Sequence, residues 1–343
     1  MERLFSLQKV FKNSHSELKY STINVNGDFD STAISADGEY TVLGIDGLYL
    51  FGKDSNIPIW ESSVPDGDVE AASISADGEY IAVPGRCGGG DTCIYLFDKD
   101  SSTPIWSYET GDGMFLKTVD ISSDGKNIVA GTTSGLIYYW ERESSTPLWI
   151  YDTGSDEITD LSMSADGKYI VSAAGEYVYL FDNNNNSLWE YETDDEVYVV
   201  EISADGEYII TGDDDETIYL FNKDSNSPIW DYESDGGVKC VDISSDGEYM
   251  VVGTRNPTSS SEQRVYVSEG QLWEENLPLT LNEARNLRWK KEVSCVSGVG
   301  YYSRKNAAKS AAAETYSLIF DSKDKVIGIY FYSENQQGYP WQQ

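Results

Sequence analysis

The sequence predicts an all-β fold, a β-propeller of six or seven four-stranded blades with a small C-terminal α+β extension. Three recurring landmarks predict it. The phrase ISADGEY occurs at 34–40, 74–80 and 202–208, and ISSDGKN (121–127), MSADGKY (163–169) and ISSDGEY (243–249) repeat its pattern. A tryptophan keeps pace at Trp60, Trp106, Trp149, Trp189, Trp230 and Trp273. Between the two lies an apolar and aromatic run: LYLF (48–51), IYLF (94–97), IYYW (137–140), VYLF (178–181), IYLF (218–221) and VYV (265–267). Landmarks that return about every forty residues mark a repeat architecture.

Each unit reads as four strands. In residues 115–153, TVDIS alternates and forms a first strand, SDGK a turn, and NIVAGT a second strand. LIYYWE follows as a third strand, RESST as a loop and PLWIYDT as a fourth strand. Pro147 stands at the first position of that strand, where a missing N–H is tolerated. β-Branched and aromatic residues fill the strands, while Gly, Asp, Ser and Asn fill the joints. Asp-Gly between two strands is a hairpin signal. A calcium loop would need several further oxygens at fixed steps. The repeated phrase therefore reads as a turn and not as an ion site.

The flanking segments are read in chain order. Residues 1–16 form an N-terminal arm, in which Leu4, Leu7 and Phe11 are spaced for one face of a short helix. Residues 17–273 form the propeller. ELKYSTIN (17–24) is a strand that precedes the first repeat, and it is expected to close the ring by completing the last blade. Residues 274–343 form an extension or a decorated last blade. There, TLNEARNLRWKKE (280–292) and SRKNAAKSAAAETY (303–316) read as helices. YSLIFD and KVIGIYFYS read as a hairpin.

The stretch VAGTTSGLIYYWERESSTPLW (129–149) resembles the repeats of pyrroloquinoline-quinone-type propellers, and more loosely WD repeats. The resemblance covers about residues 24–275 and implies a propeller. It does not imply the quinone, because the chain lacks the adjacent cysteines that those enzymes carry beside the cofactor. The His-based network of WD repeats is also missing, since His15 is the only histidine.

Composition narrows the function. Acidic residues outnumber basic ones by 59 to 24, for a formal net charge of −35. Residues 274–343 hold nine basic and eight acidic residues (+1), which leaves −36 for residues 1–273. Such a surface repels nucleic acid and anionic membranes and favours cations or basic partners. No apolar window is long enough to span a membrane. The N-terminus shows no secretory leader, so a cytoplasmic location is expected. Among the four cysteines, Cys87 and Cys93 bracket CGGGDTC. A disulfide and a pair of free thiols both fit that loop, whereas zinc would want more ligands.

The loops between the fourth strand of one blade and the first of the next gather at one end of the axis. Asp68, Asp112, Asp156, Asp194 and Asp235 lie in them and are expected to form an acidic mouth. GDDDE (212–216) opens on the same face. The expected function is a non-enzymatic binding platform for a protein or peptide, basic in character, with no cofactor, no metal and no catalytic residue. Two alternatives stand beside it. One is a hydrolase using carboxylates at the mouth. The other is RNA binding through the basic C-terminal helix, with Arg304, Lys305 and Lys309 on phosphates.

Overall fold

The computed structural model describes residues 4–12, 18–26, 30–63, 69–87, 92–111, 115–154, 157–234, 236–255, 263–269, 315–320 and 326–332, with side chains between 30 and 255. Every described regular element is a strand. Blade one holds β3 (Ser31–Ile34), β4 (Tyr40–Ile45), β5 (Gly47–Gly52) and β6 (Trp60–Ser62). Blade two holds β7 (Ser73–Ile74), β8 (Tyr80–Arg86), β9 (Thr92–Asp98) and β10 (Trp106–Glu109). Blade three holds β11 (Leu116–Ile121), β12 (Asn127–Thr132), β13 (Leu136–Glu141) and β14 (Trp149–Asp152). Blade four holds β15 (Ile158–Met163), β16 (Tyr169–Ala174), β17 (Tyr177–Asp182) and β18 (Ser187–Glu192). Blade five holds β19 (Val197–Ile202), β20 (Tyr208–Asp213), β21 (Thr217–Asn222) and β22 (Trp230–Glu233). Blade six holds β23 (Gly237–Ile243), β24 (Tyr249–Arg255) and β25 (Gln263–Glu269).

Each blade is an antiparallel meander in chain order, with four strands in blades one to five and three among the described residues of blade six. The first strands of successive blades are neighbours, so they line the centre. Fourth strands such as β14 and β22 alternate half-buried and exposed residues, as an outer edge does. Second and third strands are the buried layers. Apolar side chains from consecutive blades interlock, as when Ile128, Ala130 and Trp140 of blade three meet Ala82, Ile94 and Leu96 of blade two. The core is a series of such seams, and no blade buries its own faces without its neighbours.

The repeated phrase has one local structure throughout. In blade three, Ser122 Oγ donates to Asp124 Oδ1 at 2.9 Å and accepts from Asn127 N at 3.0 Å. Asp124 Oδ1 also accepts from Lys126 N at 3.0 Å. The carboxylate is a turn acceptor, as the sequence predicts. Gly125 follows with φ of 66°, in the left-handed region. A Cβ there would lie 2.5 Å from the ring of Tyr80, in the blade before. The glycine thus serves the bend and the blade-to-blade fit at once.

Turn joins turn around the ring. Ala36 N donates to Ala76 O, Ala76 N to Ser123 O, Ser123 N to Ala165 O, and Ala165 N to Ala204 O, at 2.9–3.0 Å. Asp205 N reaches Ser245 O at 3.3 Å. The tryptophans make a second belt. Trp60 Nε1 donates to Lys99 O at 2.8 Å, Trp106 to Arg142 O at 2.6 Å, Trp149 to Asn183 O at 3.0 Å and Trp189 to Lys223 O at 2.8 Å. Each acceptor lies in the next blade, which is why the landmark recurs.

The ends of the chain differ in part from the sequence expectation. Where the spacing of Leu4, Leu7 and Phe11 predicts a helix, the chain forms β1 (Leu4–Lys12). It pairs antiparallel with β2 (Leu18–Asn26), from Leu4↔Asn26 to Lys12↔Leu18. Nine residues of ladder satisfy backbone groups across two strands, and so short an amphipathic pattern fits either state. The strand read at 17–24 is therefore present, with β1 as its sheet partner. The C-terminal hairpin is present as β26 (Thr315–Phe320) and β27 (Val326–Tyr332). The helix read at 280–292 and nearly all of that at 303–316 lie outside the described residues; the last two positions of the latter begin β26.

Candidate functional site

One end of the strands carries the repeated turns; the other carries the loops between blades and forms the mouth. The first strands of blades three to six are bulged near the mouth, at Leu116/Thr118, Ile158/Asp160, Val197/Val199 and Val238/Cys240. A bulge re-aims its extra residue. Thr159 donates from Oγ1 to Val197 O of the next blade at 2.6 Å. Lys239 sits with Nζ 4.2 Å from the ring centroid of Tyr198 and pairs with Asp214. Tyr198 in turn donates to Glu196 Oε2 at 2.6 Å, and that carboxylate is the main reason the phenol is pushed up to about 12. Lys117 pairs with Glu157 in the same way between blades three and four.

Of the five mouth aspartates expected from the sequence, Asp194 is described. It is exposed on the connection from β18 to β19. Its charge helps raise Tyr191, after burial, and contributes to raising Asp213. Asp68, Asp112, Asp156 and Asp235 lie outside the described residues. The GDDDE stretch divides three ways. Asp213 is fully buried and accepts from Thr217 N at 2.8 Å and Tyr219 OH at 3.0 Å. Asp214 is paired with Lys239, and Asp215 is exposed.

Cys87 and Cys93 are joined in a disulfide, with Cα atoms 5.6 Å apart. It ties the end of β8 to β9 on the mouth side of blade two.

Sequence reasoning passed over a second acidic set. Asp120, Asp160, Glu201 and Asp242 sit on the first strands of blades three to six, half-buried along the central channel. Asp120, Asp160 and Glu201 tie blades together. Asp120 accepts from Ser73 Oγ of blade two at 2.9 Å, from Ile121 N at 2.8 Å and from Met163 N of blade four at 2.8 Å. Asp160 accepts from Leu161 N at 2.9 Å and from Val200 N of blade five at 3.0 Å, with Thr118 Oγ1 of blade three at 3.5 Å. Glu201 accepts from Ser162 Oγ of blade four at 2.8 Å. Burial pushes all four carboxyls up, Asp160 to about 7 and Asp242 to about 6. Mutual repulsion adds to this: Asp242, Asp120 and Asp160 raise Glu201 further, which places the group in one shared field. The readable signal was an acid inside an innermost strand, in VDIS, VEIS and TDLS.

A pocket of about 250 Å³ opens at the mouth between blades three and four. Thr153 and Gly154 form one wall, and Ala174, Glu176, Tyr177 and Tyr179 the other. The corresponding place in blade five is filled by Asp213, which caps the hydroxyl of Tyr219. Ala174, at the same place in blade four, cannot reach Tyr179.

These features define a repeat protein of the β-propeller class, with a loop-bearing mouth and a channel lined by carboxylates. The chain matches the family model described as outer membrane protein assembly factor BamB, over residues 21–232 and again over 90–324. It belongs to that family of propeller repeats, related to the pyrroloquinoline-quinone type. Among curated proteins, none matches the chain.

Proposed function

We propose that this propeller is a non-enzymatic platform that holds a protein or peptide partner, basic in character, at its mouth. The observation that carries the reading is the division of polar groups within each blade. At the turn end, the repeated serines and aspartates serve the fold. At the mouth, Asp194, Asp195, Asp215 and Glu176 are exposed, in a part of the chain with a formal charge of −36. Converging carboxylates at a loop-bearing face draw basic segments and raise their association rate. The family description, an assembly factor, agrees with a role in holding another protein.

The hydrolase alternative draws on the raised channel carboxylates, since catalytic acids often have raised pKa values. Yet Asp120 and Asp160 each use both carboxylate oxygens on hydrogen bonds, and each reaches at least one neighbouring blade, which suits ties better than proton donors. The RNA alternative rests on residues outside the described set.

The test is a binding survey with matched basic, neutral and acidic peptides at two salt concentrations. Basic peptides should bind selectively and weaken as salt rises. The combined change Asp112→Lys, Asp156→Lys and Asp194→Lys should abolish that selectivity. Equal binding of acidic peptides, or an unaffected triple variant, would overturn the reading. For location, the cytoplasm stays the proposal: a disulfide persists in oxidising surroundings, so Cys87 and Cys93 trapped as free thiols in intact cells would support it, and an oxidised pair would overturn it.

A further inference from the structure

The geometry points to a subsite for one cationic side chain, lysine or arginine, in the pocket between blades three and four. This rests on the platform reading and narrows it to a contact. Tyr179 is 5% exposed, lines the pocket, and has no hydrogen-bond partner for its hydroxyl among the described residues. The hydroxyl itself keeps contact with solvent, and a donor entering the pocket would take the place of water as its partner. The surroundings select a cation. Glu176 is on the wall, Glu190 is close enough to help raise Tyr179 to about 12 after burial, and Glu192 accepts from the hydroxyl of Tyr177. The rings of Tyr177 and Tyr179, with centroids 5.9 Å apart, add faces on which a cation is attracted. At about 250 Å³ the space is below the range for drug-sized ligands, and suits one side chain.

The probes are the acetylated amides of Gly-Lys-Gly, Gly-Arg-Gly and Gly-norleucine-Gly, titrated against the full chain by NMR. The two cationic peptides should bind and shift the resonances of Tyr177 and Tyr179, and the norleucine peptide should not. Tyr179→Phe should weaken binding about fivefold, and Glu176→Gln should do so in a salt-dependent way. Equal binding of norleucine, or an unchanged Tyr179→Phe, would overturn the subsite. If longer basic peptides still bind Tyr179→Phe at full strength, the platform reading survives and the subsite falls. If no basic peptide binds the unaltered chain, both fall.

A second inference rests on strand topology. We infer that a seventh blade closes the ring, built as β26-β27-β1-β2 from the two ends of the chain. The turn-to-turn relay runs from Ala36 to Ser245, and among the described residues no such bond joins blade six to blade one. A Cβ on Gly38 would meet nothing within 4 Å, whereas at Gly78, Gly125, Gly167, Gly206 and Gly247 it would strike the preceding blade. Among the described residues, therefore, nothing fills the place before blade one. Two hairpins remain, β1–β2 and β26–β27. β2 ends at Asn26 and runs into β3 at Ser31, as a fourth strand runs into the next first strand. That places β2 fourth and β1 third. β26 and β27 are separated by residues 321–325, the five-residue spacing of the first turn in blade three at 122–126. β26 also lies beside β24 and β25 of blade six.

In this blade β27 pairs with β1, which brings the end of β1 at Lys12 to the start of β27 at Val326. Lysine cross-linking of the full chain should join Lys12 to Lys325 or Lys323. Removing residues 1–26 should release hydrogen-exchange protection in 315–332. Lys12 cross-linked only within its own hairpin, or protection unchanged by that removal, would overturn the closing blade.

Discussion

The two ends of the same strands obey different rules. At the turn end, serine, aspartate, glycine and an aromatic recur in nearly every blade, and each has a named contact within its turn or across a seam. At the mouth, equivalent positions diverge. Blade four has Ala174 where blade five has buried Asp213, and bulged positions carry Lys117, Thr159, Tyr198 and Lys239 in turn. Repetition marks the end that holds the ring together, and divergence marks the end that is free to meet something else.

That contrast can be tested by substitution, and the largest effect belongs to the belt of tryptophans. Trp149 stacks on Tyr139 at 4.9 Å and donates to Asn183 O. Trp149→Ala should cost about 3–5 kcal/mol in urea unfolding, and a loss below 1 kcal/mol would remove the belt from the account. Gly125→Val and Gly38→Val share a left-handed backbone, but only the first meets a neighbouring blade. Both should pay about 1–2 kcal/mol for the backbone, and Gly125→Val a further ~1–3 kcal/mol for overpacking. Equal losses would show that the seam contributes nothing. Ser122→Ala removes two turn hydrogen bonds and should cost about 1–2 kcal/mol.

Between the two ends lie the channel carboxylates, and they set a pH dependence. Asp160 is raised to about 7 and Asp242 to about 6, with Asp120 and Glu201 also raised. A raised carboxyl keeps its proton longer in the folded chain than in the unfolded one. Stability from this source is full below the unfolded value, near 4, and is lost as pH climbs through the folded value. The loss should therefore fall between about pH 4 and 7. Asp160→Asn should flatten that slope in unfolding measured across this window, and an unchanged slope would clear Asp160 of the effect. The smallest effect should come from the mouth: Asp194→Asn should change stability by less than about 0.5 kcal/mol.

The repeat fold was legible because its landmarks are contacts. A glycine that must fit under a tyrosine, and a tryptophan that must reach a carbonyl, leave fixed residues at fixed spacing. The N-terminal arm was not legible, because five apolar residues in nine suit a helix face as well as a strand, and pairing with β2 decides between them. Asp194 lies exposed on an inter-blade connection, as its place in the repeat implies, while the channel set escaped notice. An aspartate in an alternating strand looks like a solvent-facing residue until the first strands are brought around one axis. The pocket was harder still, for its signal is a missing carboxylate, visible only when Ala174 is set against Asp213.

The fit of each glycine under the preceding blade's side chain has a further consequence. The seam is directional: a blade offers one surface forward and a different one backward. Heterologous contacts of this kind either close on themselves or continue from copy to copy into a fibre. Whatever seats itself before Gly38 therefore also decides whether this chain ends as a finite particle or as the first link of a polymer.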